Sequence, residues 1–114
     1  MLRIYHNPRC SKSRETLGLL TGRGLTPEVI EYLQTPPGVD ELGAIIDMLG
    51  IEPRALMRRD EAEYTDLGLS DPSLGRDALL SAMVAHPRLI QRPIVVNDGR
   101  AAIGRPPEAV LAIL

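Results

Sequence analysis

The ten residues Tyr5–Arg14, "YHNPRCSKSR", decide how this chain folds and what chemistry it carries. They contain its only cysteine, Cys10, and one of its two histidines, His6. The apolar residues just before them, 2–5, predict a strand, and an Asn-Pro pair then predicts a turn. Serines follow the cysteine, as is typical of a helix N-terminus. The sequence therefore places the thiol at a strand-to-helix junction.

A cysteine at such a junction is expected to be reactive. The free N–H groups and the positive dipole end of a helix favour the thiolate, and basic neighbours lower the pKa of a thiol further. Arg9, Lys12, Arg14 and His6 are all close enough in sequence to contribute. A structural cysteine is instead a small buried hydrophobe. We therefore expect a reactive thiolate at a site that also binds anions.

Two other uses of the thiol are excluded. One cysteine and two histidines far apart in sequence offer no ligand set for a structural zinc ion, so no metal is expected. The C-x-x-C position of dithiol oxidoreductases reads C-x-x-S here, from Cys10 to Ser13. Any thiol that resolves a disulfide at Cys10 must come from another molecule. Ser13 itself is equally well explained as a helix cap.

Length and composition predict one domain over residues 1–114. Hydrophobic residues make up 44% of the chain, charged residues 25%, and the net charge is −2. These values predict no nucleic-acid partner, and no apolar run suits a membrane span or a signal peptide. A lone cysteine fits a reducing, cytoplasmic location. No long apolar stripe is left over after the core is assigned, so we expect a monomer.

The remaining elements are predicted from periodicity and turn signals. They are a strand at 27–33, a helix at 39–49, a helical turn at 53–59, a polar connector at 61–75, a helix around 79–84, a hairpin turning at Asp98-Gly99, and a last helix from Pro106 or Pro107. The expected fold is α/β, a thioredoxin/glutaredoxin-like four-stranded mixed sheet flanked by helices. A helical insertion separates its βαβ half from its ββα half.

The segment "YHNPRCSKSRETL" resembles the active-site loop of the glutaredoxin-coupled bacterial arsenate reductases, whose signature is H-N-P-x-C-x-x-S-R. The resemblance continues in order at "RALMRR", "YTDLGL", "HPRLIQRPIVV" and "GRPPEAV". It implies an arsenate reductase of the ArsC-like, thioredoxin-fold type with no bound cofactor. Arsenate would be the substrate, glutathione the reductant, and a glutaredoxin the protein partner that resolves the mixed disulfide.

The resemblance also implies roles for individual residues. Cys10 would be the nucleophile and His6 would help to hold its thiolate. Three arginines would grip the oxyanion, for which the planar guanidinium fork is suited: Arg58, Arg92 and Arg105. Supporting residues would be Ser13, Arg14 and Pro93, the proline being cis and lying against Cys10. Arg14 either orders the loop or faces the anion. The roles of Arg9, Lys12 and Arg59 are open.

Two alternatives use the same fold. A monothiol, glutathione-dependent thiol-disulfide oxidoreductase needs the reactive cysteine but not three convergent arginines. An Spx-like regulator that binds RNA polymerase commonly carries the C-x-x-C switch that Ser13 removes here. The number of arginines at the thiol is the feature that distinguishes the reductase from both.

Overall fold

The computed structural model describes residues 1–114 and divides into two compact units. The first combines residues 1–35 with 92–114, and the second comprises residues 36–91. The second unit corresponds to the helical insertion that the sequence predicts between the two halves of the sheet. The prediction of a single domain stays a prediction.

The first unit is built on a four-stranded mixed sheet. Its strands are β1 (Leu2–His6), β2 (Glu28–Glu31), β3 (Ile94–Asn97) and β4 (Arg100–Ile103), in the order β2-β1-β3-β4. β1 and β2 run parallel, joined by helix α1 (Ser11–Gly22), whereas the other neighbours are antiparallel. This confirms the thioredoxin-like architecture. The second strand is shorter than predicted, because the chain turns directly after residue 31.

An aliphatic core packs against one face of this sheet. Ile4 is fully buried and stands opposite Val29 on β2 and Val95 on β3. Around it lie residues from α1, β3 and the C-terminal segment: Leu20, Val95, Val110 and Ile113. Burying each such side chain contributes about 1.5–3 kcal/mol. The chain has no Phe or Trp, and this cluster is built from aliphatic side chains alone.

The hairpin between β3 and β4 turns at the two residues that the sequence indicates. Asp98 and Gly99 both have positive φ, 48° and 84°. A two-residue hairpin loop with both φ values positive matches the twist of its strands, and Asp-Gly suits it best.

The C-terminal segment, Pro107–Ile113, is a 3₁₀-helix, where the sequence led us to expect an ordinary helix. In a 3₁₀-helix residues three apart lie on one face. The three buried residues of the segment have this spacing, Pro107, Val110 and Ile113. The 3₁₀ winding thus turns them all towards the core. Arg105 precedes this helix and does not belong to its first turn.

The second unit is helical. Helix α2 (Val39–Leu49) has the predicted bounds and ends at Gly50, which has a φ of 68°. Helix α4 (Arg76–Ala85) stops before Pro87, as expected. 3₁₀ turns lie at Pro53–Leu56 and Pro87–Leu89.

One helix was not predicted. Helix α3 (Ala62–Asp66) lies inside the stretch interpreted as a polar connector. Its only buried side chain is Tyr64, so no apolar repeat marks it in the sequence. None of the helices is long and apolar enough to cross a membrane.

Gly104, next to one of the predicted anion-binding arginines, has no room for a side chain. Its N–H donates to the carbonyl of Pro93 at 2.9 Å. A Cβ at this position would come within 2.5 Å of Thr16 Oγ1 and 2.8 Å of Pro93 Cγ. Neither neighbour can easily move aside, because Thr16 is buried in α1 and the side chain of Pro93 is a rigid ring.

We expect Gly104→Ala to lower the free energy of unfolding by about 1–3 kcal/mol, the usual cost of overpacking. Gly18→Ala is the matched control: Gly18 lies within α1 with open space around it. It should raise stability by roughly 0.5–1 kcal/mol, because alanine favours helix. Urea unfolding of both variants measures the difference. Equal stability of the two would contradict the close packing described for Gly104.

Candidate active site

Cys10 is the N-cap residue of α1. Its backbone is extended (φ −96°, ψ 124°), its N–H donates to the carbonyl of Asn7 at 3.0 Å, and its own carbonyl accepts from Arg14 N–H at 3.0 Å. The side chain is buried, with 8% of its surface exposed. The turn after β1 therefore delivers the sulfur to the start of the helix, as the sequence predicts.

The surroundings of Cys10 lower the pKa of its thiol. Burial acts to raise this pKa, but the backbone N–H of Ser13, the charge of Arg92 and the backbone N–H of Lys12 together outweigh it. Each of these groups places positive charge near the sulfur and so favours the thiolate over the thiol. The pKa lies below its ordinary value of 9.0. The first turn of the helix and one arginine thus favour the thiolate form of Cys10.

The basic side chains next to the cysteine do less than the sequence suggests. Lys12 forms an ion pair with Glu15 at 3.6 Å, and its contribution to the thiolate comes from its backbone N–H. Arg14 donates to the carbonyl of Pro8 at 3.0 Å, a contact within the loop. Arg9 is exposed. Side chains at a helix start point outward, so closeness in sequence does not bring their charges to the sulfur.

Two of the three predicted arginines meet the thiol. Arg105 Nη2 lies 3.7 Å from Cys10 Sγ, and Arg105 Nε donates to the carbonyl of Arg92 at 2.8 Å. The Arg92 side chain also hydrogen-bonds to the thiolate. Arg92 is joined to Pro93 by a cis peptide, as the resemblance implied. The arginines are therefore tied to each other as well as to the sulfur.

Arg92 carries donors that the protein does not use. Its Nε and Nη1 atoms are buried and have no hydrogen-bond partner in the chain. Leaving a buried polar group unpaired costs about 1–3 kcal/mol, more for a charged one, so such groups are rare. Unused guanidinium donors beside a thiolate form a site suited to an oxyanion.

His6, the last residue of β1, is hydrogen-bonded to Ser13. Its Nδ1 is 2.6 Å from Ser13 Oγ, and the same oxygen accepts from Asn7 N–H at 3.0 Å. Burial lowers the pKa of His6; the charge of Glu31 opposes this and that of Arg14 adds to it. Because its pKa is lowered, the ring is neutral at pH 7, and one hydrogen bond joins its Nδ1 to the Ser13 hydroxyl. Any effect of His6 on the thiolate thus passes through the placement of Ser13.

Asn7 is a site residue that the sequence analysis missed. Its carbonyl accepts from Cys10 N–H, its N–H donates to Ser13 Oγ, and its Oδ1 accepts from Arg9 N–H at 3.0 Å. The Asn-Pro pair was interpreted only as a turn signal. Asparagine side chains commonly bond to backbone two residues on, and this preference could have revealed the role.

Arg58 lies in the helical unit. Its guanidinium pairs with Glu61, and with Asp60 at 3.7 Å. Its predicted role in binding the oxyanion stays a prediction. Arg59, next to it, is exposed. The structure contains no group of three or more His, Cys, Asp or Glu side chains that could hold a metal ion.

A single thiol with a lowered pKa lies at a helix start beside two arginines, in a thioredoxin-like fold, so this is a monothiol protein of the thioredoxin-like class. The ArsC family model matches residues 5–113, and the chain belongs to the ArsC family.

The chain is 54% identical to an uncharacterised Escherichia coli protein, YfgD, over 99% of this chain and 96% of that protein. It is 50% identical to a Neisseria meningitidis protein named arsenate reductase, over 99% and 97%. The solved structure of a Vibrio cholerae arsenate reductase is 56% identical, with a TM-score of 0.97, over 99% and 97%.

We expect Arg92→Met to raise the pKa of the Cys10 thiol, because it removes the charge and the hydrogen bond that favour the thiolate. The pH dependence of alkylation by iodoacetamide measures this pKa. Arg23→Met, at the exposed C-terminal end of α1, is the charge-matched control and should leave the profile unchanged. Identical profiles for the two variants would rule out Arg92 as an activating group.

The pKa of His6 should lie below 6.5 in the folded protein, chiefly because the ring is buried. The unfolded chain then binds more protons below pH 6.5, so this part of the stability is present above that pH and lost as the pH falls. We expect His6→Gln to make unfolding less dependent on pH between about 5 and 7. The ring carbon shift of His6, followed by NMR against pH, gives its pKa directly. A midpoint above 6.5 would contradict the neutral ring.

Proposed function

We propose that this protein is an arsenate reductase in which the Cys10 thiolate attacks arsenate and glutathione with glutaredoxin supplies the electrons. The observation that carries the proposal is the pair Arg92 and Arg105 beside the activated thiol, with two buried nitrogens of Arg92 left unpartnered. Relatives at about half identity over nearly the whole chain are named arsenate reductases, which supports the choice of oxyanion.

The electrostatics of the first step favour this arrangement. Attack by a thiolate on an arsenate anion brings two negative charges together, and fixed cations must neutralise the charge that develops. Arg92 is partly buried, so its field is less screened than that of a surface residue. Arg105 is exposed and can meet the incoming anion. Arg58 enters the proposal as a third anion-binding residue on the strength of the resemblance alone.

The proposed reaction proceeds in three steps. The Cys10 sulfur bonds to As(V) and an arsenate oxygen leaves as water, giving a thiol–arsenate adduct. The thiolate of glutathione then attacks the Cys10 sulfur, and the S–As bond breaks with its electron pair going to arsenic. This step forms a Cys10–glutathione disulfide and releases arsenite, As(III). A glutaredoxin thiol takes the glutathione and regenerates Cys10, because the chain has no second cysteine to do so.

The reaction also fits the expected setting. Free glutathione and glutaredoxin require a reducing compartment, so we propose that the protein acts in the cytoplasm. Each step uses one thiol of this chain, and we propose that a monomer suffices.

Purified protein with glutathione, glutaredoxin and glutathione reductase should oxidise NADPH when arsenate is added. Cys10→Ser should abolish turnover, since it removes the nucleophile. Arg92→Met should lower kcat/KM for arsenate by about 10²-fold or more, the usual loss when one oxyanion-binding donor is removed. Arg23→Met should behave like wild type.

The competing functions give different results in the same assay. Turnover of a protein–glutathione disulfide that does not depend on Arg92, with no arsenate turnover, would identify a monothiol thiol-disulfide oxidoreductase. A folded protein active in neither assay that binds RNA polymerase would indicate a regulator. Either result would overturn the arsenate reductase proposal.

A further inference from the structure

A cleft of about 150 Å³ opens beside the active-site loop, within the first unit. One wall is the loop that leads to the thiol, including Asn7 and Arg9, and the other is the end of β2 and the turn after it, including Glu31 and Gln34. His6 is also part of its lining. Neither Arg92 nor Arg105 lines the cleft, so it is separate from the oxyanion-binding arginines.

Both walls are fixed by local hydrogen bonds. On the loop side, Asn7 Oδ1 accepts from Arg9 N–H at 3.0 Å. On the strand side, the carbonyl of Glu31 accepts from Gln34 N–H at 3.0 Å. The cleft is therefore formed before any ligand arrives, as most small-molecule sites are.

The charged groups of the cleft are of opposite sign and are available. The structure shows no ion pair for the Arg9 guanidinium or the Glu31 carboxylate, and both residues are exposed. His6 belongs to the same lining, and its Nδ1 is hydrogen-bonded to Ser13 Oγ. Such a lining complements a ligand whose ammonium and carboxylate groups are attached to the same carbon.

We propose that this cleft binds the α-amino-acid end of the thiol that reduces the Cys10 adduct, with Glu31 holding its ammonium and Arg9 its carboxylate. This rests on the proposed function. Leu33, an exposed apolar residue, and Pro8 would cover the methylene groups of the ligand. Residues 6–9 of the cleft wall belong to the loop that leads to Cys10, so a ligand anchored here lies beside the segment that carries the thiol. In glutathione the anchored group is the γ-glutamyl end.

Binding is measured with S-methylglutathione, which occupies the site without reacting. Titration into the wild-type protein should shift the amide NMR signals of residues 7–9 and 31–34. Glu31→Gln and Arg9→Met should each weaken binding by about tenfold, since each removes one charge-assisted hydrogen bond. Glu28→Gln, an exposed carboxylate on the same strand but outside the cleft, should not. The analogue without the α-ammonium should lose affinity for wild type and bind Glu31→Gln no more weakly than wild type.

Kinetics distinguish failure of the cleft from failure of the reductase. Glu31→Gln should raise KM for glutathione about tenfold while leaving kcat and KM for arsenate unchanged, and turnover with 2-mercaptoethanol should not respond to it. If Glu31→Gln turns over arsenate with an unaltered KM for glutathione, or if the NMR shifts avoid residues 7–9 and 31–34, the cleft proposal alone is wrong. If S-methylglutathione binding depends on Glu31 but arsenate is not turned over, the cleft proposal stands and the arsenate reductase proposal is wrong.

Discussion

The first turn of α1 is the constraint on which the site depends. Cys10 occupies the N-cap, where the backbone N–H groups of Lys12 and Ser13 stabilise its charged form. Burial alone would raise the pKa of this thiol, so an equally buried cysteine away from a helix start and its arginines would be inert. The turn after β1 and the Asn7 carbonyl set where the helix starts. The chemistry is therefore a consequence of how one strand passes into one helix.

The β3–β4 half of the sheet places two arginine side chains beside the thiol. Arg92 and Arg105 flank the β3–β4 hairpin, and the two ends meet because Gly104 N–H bonds to the Pro93 carbonyl and Arg105 Nε bonds to the Arg92 carbonyl. Gly104 can approach this closely only because it has no side chain. Two buried nitrogens of Arg92 are left without partners, which costs stability. Proteins accept such a cost mainly at functional sites.

Local signals were sufficient for much of the fold and for the position of the thiol. The Asp98-Gly99 turn, the amphipathic α2 and the strand-to-helix junction at Cys10 each depend on neighbours in sequence, and each was predicted. Helix α3 was missed because a single side chain, Tyr64, anchors it, and the 3₁₀ winding of the last segment follows from packing against the sheet. The unpartnered nitrogens of Arg92 also depend on tertiary structure, so no local pattern reveals them.

The loop shows most clearly where sequence proximity misleads. Arg9, Lys12 and Arg14 surround Cys10 in the chain, yet the charge that lowers its pKa comes from Arg92, far along the sequence. Lys12 is engaged with Glu15 and Arg14 with the Pro8 carbonyl, while Arg9 faces the cleft beside β2. A loop can thus change its surface charges without changing the reactivity of its thiol. In the proposed reaction, such changes would alter which thiol binds in the cleft that Arg9 lines.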